Sequence, residues 1–325
     1  MPKNLLIICI LLLSVQTAYS QEQKLKQVDF LPLWVPQPQF AGYYMAKEKG
    51  LYEKYGLDVN IIPGGYKKDV PEYLKSGQAD FGIMYLAPAI KERVGGTKLV
   101  NVGQIFQRTD IMFVAKKSSG IKSLSDFNGK KISVWRTVLN DLTEGFLKKH
   151  NIEAEVIRIN EGVNIFLKGG VDICAVMYFN EYDELINYGI DPDELELFYF
   201  RDYGMNFPED GIYCMEETYE KDPEMCRDFM KASLEGWEYA ISHPEETLET
   251  LRRYQQLQTV RCNSTHSLWM LNAMKDLINP AGGNTSKGEL LETDYNITLQ
   301  FLLENGVVTS SEEFSIFYRG IKKDE

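Results

Sequence analysis

Aromatic rings, amides and one acid recur where the strands of this chain should end. Trp34, Phe40, Tyr43, Tyr85, Trp135 and Tyr178 offer flat apolar faces, and Gln39, Asn164 and Asn180 offer donors and acceptors. Glu181 closes the run Tyr178-Phe179-Asn180-Glu181, while Met84 ends a strand and Asp210 lies in a later chain crossing. Rings that close over a planar heterocycle gain dispersion and exclude water, and a single carboxylate gives the ligand a direction. Glu181 would accept hydrogen bonds from an exocyclic amine or pair with a protonated ring nitrogen. An aminopyrimidine uses all of these groups at once. The plainer alternative makes the rings core packing and Glu181 a partner of a helix dipole.

Residues suited to catalysis are sparse. The histidines are His150, His243 and His266, each in or beside a helix and none next to a nucleophile motif. No Gly-x-Ser-x-Gly, phosphate loop or paired-His motif occurs. The pairs Gly64-Gly65, Gly95-Gly96, Gly169-Gly170 and Gly282-Gly283 lack dinucleotide-loop spacing. Cys174, Cys214, Cys226 and Cys262 match neither a zinc site nor a redox pair, and Cys174 reads as a small buried residue in a strand. No catalytic residue, metal ligand or cofactor is expected.

Stepping from these residues to the elements that must hold them, Pro36 and Pro38 make Trp34–Gln39 a loop leaving a sheet edge. A helix over 40–49 follows, with Gly50 as its left-handed stop and Phe40, Tyr43 and Tyr44 on one face. Strands are expected over 58–62, 80–84 and 111–115, and Asp69 should cap a short helix with Pro71 in its first turn. Strand, helix, strand in that order implies a parallel sheet with its ligands at the carboxyl ends of the strands. The same plan repeats with strands over 131–135, 154–159 and 171–178, helices over 141–150 and 164–168, and another helix opening at Tyr178–Glu181. The polar run 116–120 reads as the first crossing between lobes and 199–215 as the return, with Glu209 and Asp210 exposed or at the hinge. Helices over 225–242, 245–256, 266–279 and 295–305 should form an outer layer on the first lobe.

At 325 residues the chain exceeds what one core of about 250–300 residues holds, so two lobes are expected. The first would be 21–115 with 211–325, and the second 116–210. A composition of 44% hydrophobic and 25% charged residues is globular, and a net charge of -12 argues against nucleic acid or a polybasic membrane contact. Residues 1–20 read as a cleavable secretory signal, with Lys3, an apolar run Leu5–Leu13 and Ala18-Tyr19-Ser20 before Gln21. Cys9 lies inside the run, which disfavours a lipid anchor. Asn263, Asn284 and Asn296 fit the glycosylation pattern, relevant only in a eukaryotic secretory pathway.

The segment 34–59 also carries a resemblance. Trp34, Pro36, Phe40, Gly42, Tyr43, Tyr44, Ala46, Gly50, Tyr52, Gly56, Leu57, Asp58 and Val59 fill the first ligand-binding pattern of the NMT1/THI5-like and SsuA-like substrate-binding proteins. The likeness runs from about residue 28 to 320. Tyr178, Asn180 and Glu181 are similar to the Tyr-x-Asn-Glu segment of the family's pyrimidine-precursor binders, whose Glu meets the aminopyrimidine. Phe40 stands where several such relatives carry His, and Pro36-Gln37 where they carry Pro-Asn.

The resemblance implies an α/β type II periplasmic binding protein fold, two lobes joined by two crossings with the ligand cleft between them. It implies a periplasmic receptor, expected as a monomer, that delivers a thiamine pyrimidine precursor to an inner-membrane ABC permease for thiamine biosynthesis. Alkanesulfonate, taurine or nitrate-type solutes are the other ligand classes, and a sensory module working with a separate membrane kinase is a further possibility. A catalytic branch makes the thiamine pyrimidine from pyridoxal phosphate and its own histidine, with a Lys and a His at the positions held here by Met84 and Pro88. Met84 forms no Schiff base and Pro88 has no imidazole to give.

Overall fold

The computed structural model describes residues 24–136, 140–160, 162–280 and 287–321. The signal segment 1–20 with Cys9, the pair Gly282-Gly283 and the Asn284 glycosylation pattern lie outside the described residues. The strands are β1 (Lys26–Leu31), β2 (Leu57–Ile61), β3 (Phe81–Tyr85), β4 (Leu99–Gln104), β5 (Ile111–Lys116), β6 (Lys131–Trp135), β7 (Glu155–Ile159), β8 (Ile173–Met177), β9 (Leu195–Tyr199) and β10 (Asp210–Met215). The helices that matter for the site are α1 (Ala41–Glu48), α2 (Val70–Lys75), α3 (Leu86–Val94), α4 (Asn140–Lys149), α5 (Pro223–Ser242), α6 (Pro244–Leu257), α7 (Ser264–Ile278) and α8 (Glu292–Glu304).

Two five-stranded sheets result, ordered β2-β1-β3-β10-β4 and β7-β6-β8-β5-β9. In each, four strands run in one direction, and an antiparallel strand that has just arrived from the other lobe fills the fourth place. β5 therefore belongs to the second sheet, paired with β8 and β9. The first crossing is the stretch 105–110 between β4 and β5, so the expected crossing at 116–120 and the lobe boundary after residue 115 fall too late. The run 116–120 is polar because the chain leaves the end of β5 there and residues 117–120 are exposed. The return crossing ends at β10, whose first residue, Asp210, already pairs with Tyr85 of β3. Glu209 and Asp210 are both buried there, so neither is exposed.

Alternation along β5 explains how the second lobe fills both faces of its sheet. Phe113 packs with Phe127, Phe146 and Phe200 on one side, while Met112 and Val114 join Phe166, Val176 and Leu185 on the other. In the first lobe, α1 crosses α5 closely because both carry glycine at the contact. A Cβ on Gly42 would lie 2.3 Å from Cγ of Trp237, and one on Gly236 would lie 2.2 Å from the Gly42 carbonyl oxygen. Gly50 ends α1 with φ of 64°, a left-handed conformation that glycine adopts without strain.

The C-terminal helices do more than coat the first lobe. α5 packs on α1, but α7 lies against both the turn Pro38–Phe40 of the first lobe and the turn Tyr178–Tyr182 of the second. Phe301 of α8 meets Phe207 at 4.9 Å and leaves room at Gly145 of α4 for glycine alone, since a Cβ there would stand 2.4 Å from its ring. Amphipathic spacing marks an apolar face without saying which lobe it meets.

Candidate functional site

A cavity of about 530 Å³ opens between the lobes at the carboxyl ends of β1, β3, β6 and β8. That size suits a small organic molecule. Each of these strands delivers residues to the wall: Leu33 and Trp34 after β1, Met84 and Tyr85 on β3, Trp135 on β6, and Met177 on β8. Trp34 and Trp135 meet edge to face where the lobes approach, their ring centroids 6.3 Å apart and their planes at 77°. Trp135 Nε1 is buried and has no hydrogen-bond partner. Lys67, Lys68 and Lys91 stand at the wall, and Lys91 of α3 pairs with Asp141 of α4, tying one lobe to the other.

Beyond Met177 the chain winds into a single π-helical turn, Tyr178–Tyr182, a form that recurs at functional sites. Its geometry turns Phe179, Asn180 and Glu181 into the cavity. Glu181 is 2% exposed; the Met177 amide donates to Oε2 at 2.9 Å, and Asn180 Nδ2 donates to Oε1 at 2.7 Å. Burial pushes its carboxyl up to about 7, with those hydrogen bonds opposing. A carboxylate has further lone-pair sites for a ligand.

On the first-lobe side, Gln39 Nε2 donates to the two carboxyl oxygens of Asp210 at 3.2 and 3.0 Å, and Gln37 Nε2 donates to Gln39 Oε1 at 2.6 Å. Gln37 lines the cavity, and its carbonyl oxygen is not used in that bond. Burial, aided by the neighbouring Glu209, raises the Asp210 carboxyl well above its ordinary value. Glu209 accepts from Thr109 Oγ1 and the Asp110 amide, both at 2.8 Å, and burial pushes it up to about 8. Asp110, paired with Arg201 at 3.1 Å, is pushed up by burial to about 6. These acids bind the outgoing crossing to the returning one.

Of the residues expected at the site, Trp34, Gln39, Met84, Tyr85, Trp135, Asn180 and Glu181 line the cavity. Five do not. Phe40 and Tyr43 are buried in the first-lobe core, Tyr43 between Phe30 and Trp237, because the helical face they share turns toward β1 and α5. Tyr178 points away because β8 ends one residue earlier than expected; it stacks on Tyr182 at 5.3 Å and meets Trp269 at 4.9 Å. Asn164 is exposed at the start of the short helix Asn164–Leu167. Asp210 reaches the site only through Gln39. Sequence reasoning missed Phe179, although it sits inside the quoted run, and it missed Leu302 and Val307, which no local pattern ties to the cavity.

Met84 and Pro88 both line the cavity, and no histidine does so among the described residues. The described residues hold no cluster of side chains able to bind a metal ion, and Cys174, Cys214, Cys226 and Cys262 are free thiols. No helix among them is long and apolar enough to cross a membrane.

Comparison with known proteins agrees with this architecture. The chain is 25% identical over 243 residues to the riboflavin-binding protein RibY of Chloroflexus aurantiacus, covering 71% of this chain and 67% of that protein. It is 25% identical over 261 residues to the formylaminopyrimidine-binding protein of Halalkalibacterium halodurans, covering 76% and 77%. Against the Saccharomyces cerevisiae hydroxymethylpyrimidine phosphate synthase THI13 it is 23% identical over 304 residues, covering 85% and 88%. Among solved structures, the aliphatic sulphonate binding protein SsuA of Escherichia coli superposes with a TM-score of 0.68 at 16% identity, covering 90% of this chain and 97% of that one, a likeness of fold. Residues 37–247 match the family described as NMT1/THI5 like, so the chain, with the two-lobed fold of periplasmic binding proteins, belongs to that family.

Proposed function

We propose that this protein is the extracytoplasmic substrate-binding protein of an ABC importer and that its ligand is a small planar heterocycle of the aminopyrimidine kind. A thiamine pyrimidine precursor, hydroxymethylpyrimidine or formylaminopyrimidine, fits that description. The observation that carries the reading is one interlobe cavity lined by the indoles of Trp34 and Trp135 and by the buried carboxyl of Glu181. An indole ring takes a face of the heterocycle and Glu181 takes its amine or protonated ring nitrogen, while Gln37, Gln39 and Asn180 complete the polar edge. Met84 and Tyr85 form the apolar floor, and Asp210 acts through Gln39. The protein is exported, closes by rotation about its crossings, and hands the ligand unchanged to a membrane permease.

The synthase alternative needs an amine where Met84 stands and an imidazole where Pro88 stands. Formation of a pyrimidine from pyridoxal phosphate by the purified protein with iron and oxygen would replace the present reading. The direct test is calorimetric titration with hydroxymethylpyrimidine, formylaminopyrimidine, an alkanesulfonate, taurine and nitrate. The pyrimidines are expected to bind with Kd of about 1 μM or tighter and the anions at least tenfold more weakly. Binding of a sulfonate with none of either pyrimidine would transfer the site to the anion class.

A further inference from the structure

The cavity carboxyl is connected to a helix that never touches the cavity. His266, in the first turn of α7, brings Nε2 to 3.1 Å from Asn180 Oδ1 and Nδ1 to 2.7 Å from Asp183 Oδ2. Asn180 in turn gives its Nδ2 to Glu181 at 2.7 Å, so the orientation of the Asn180 amide is fixed at both ends. Asn180 Oδ1 and Asp183 Oδ2 are acceptors in this arrangement, so each favours an N–H on the His266 nitrogen it faces. Asp183 is itself held by Asn187 Nδ2 at 2.7 Å, and Trp269, one turn further along α7, donates from Nε1 to the Tyr178 carbonyl at 3.0 Å. α7 thus grips both ends of the π-helical turn that carries Glu181.

We propose that His266 is a positioning residue for the ligand carboxyl: its Nε2–H holds Asn180 so that the amide presents its donor to Glu181 Oε1. Without that grip the Asn180 amide is free to turn over, and its carbonyl oxygen would then oppose the Glu181 oxygen. The second-lobe half of the site consequently depends on α7, which also packs on the Pro38–Phe40 turn that carries Gln39 in the first-lobe half. The inference deepens the proposed ligand role of Glu181 and rests on it for its effect on affinity, though not for the geometry of Asn180.

Two substitutions separate positioning from mere packing. His266→Asn keeps a donor at the place of Nδ1, facing Asp183, and loses the one facing Asn180; His266→Gln keeps a donor at the place of Nε2 and loses the other. Hydroxymethylpyrimidine affinity is measured by calorimetry, and exchange of the Asn180 side-chain amide protons is measured by NMR on the ligand-free protein. His266→Asn is expected to bind about tenfold more weakly and to exchange those protons at least tenfold faster, while His266→Gln stays within about threefold of the wild type in both. Equal behaviour of the two variants, or a larger loss in His266→Gln, overturns the proposal. Should the wild type fail to bind the pyrimidine, the ligand reading falls, and the Asn180 exchange rates in the two variants still decide the role of His266.

Discussion

Glu181 sits in the cavity wall without a cationic partner among its hydrogen bonds, which come from the Met177 amide and Asn180. Burial of an ionised carboxyl in that setting is costly, which is why the group is pushed up to about 7. A ligand amine or protonated ring nitrogen would supply the missing partner. Calorimetry on Glu181→Ala is expected to find no pyrimidine binding, and on Glu181→Gln a loss of ten- to a hundredfold, about 1.5–3 kcal/mol, with near-UV circular dichroism unchanged in both. Unchanged affinity in either variant removes the assigned role. Asp210 makes a subtler prediction. Both of its oxygens accept from Gln39 Nε2, whereas Asn at that place keeps one acceptor and sets an NH2 beside it, which lets the Gln39 amide turn over. Asp210→Asn should therefore narrow, by about tenfold, the preference for an aminopyrimidine over its oxo counterpart. An unaltered ratio would mean that Gln39 does not read the ligand edge.

The closeness of α1 to α5 fixes where the loop Trp34–Gln39 enters the cleft, so a change at their crossing acts on stability before it acts on binding. Gly42→Ala places a methyl group inside the Trp237 ring system and is expected to cost about 1–3 kcal/mol, read as a lower urea midpoint with the slope unchanged. A midpoint within error of the wild type would show that α5 can move aside freely. At this scale much was legible in the sequence. β2, β3, β6 and β7 lie between clear turn signals, Asp69 caps α2 by accepting from the backbone three residues on, and Gly50 stops α1. β4 and β9 were not legible; β4 is buried along its whole length and so shows no alternation. The site followed the same logic. Trp34 and Trp135 were readable because strand ends in a parallel sheet point to one rim, but placing the end of β8 one residue late sent Tyr178 to the cavity in place of Phe179. The reach of α7 and α8 into the second lobe depends on tertiary packing that no window of sequence contains.

Taken whole, the molecule keeps carboxyls at the places where its lobes join. Asp110 and Glu209 at the crossings and Glu181 in the cavity are raised by burial from 3.8, 4.5 and 4.5 to about 6, 8 and 7. Each holds its proton to higher pH when folded than when unfolded, so its contribution to stability is fully present below the unfolded value and is lost as pH rises through the folded one. The thermal midpoint of the ligand-free protein should accordingly fall by about 5–10 °C between pH 5 and pH 8, and Glu209→Gln should flatten the upper part of that decline. A midpoint that rises over this interval would contradict the assigned burial. The central claim is that two hinged lobes hold a flat amine-bearing molecule and release it unaltered. Mass spectrometry of the small molecules freed on denaturing protein purified from its native cells tests this most directly. An intact aminopyrimidine is expected at close to one molecule per chain; a sulfonate or other non-aromatic solute at that stoichiometry would contradict the aminopyrimidine role.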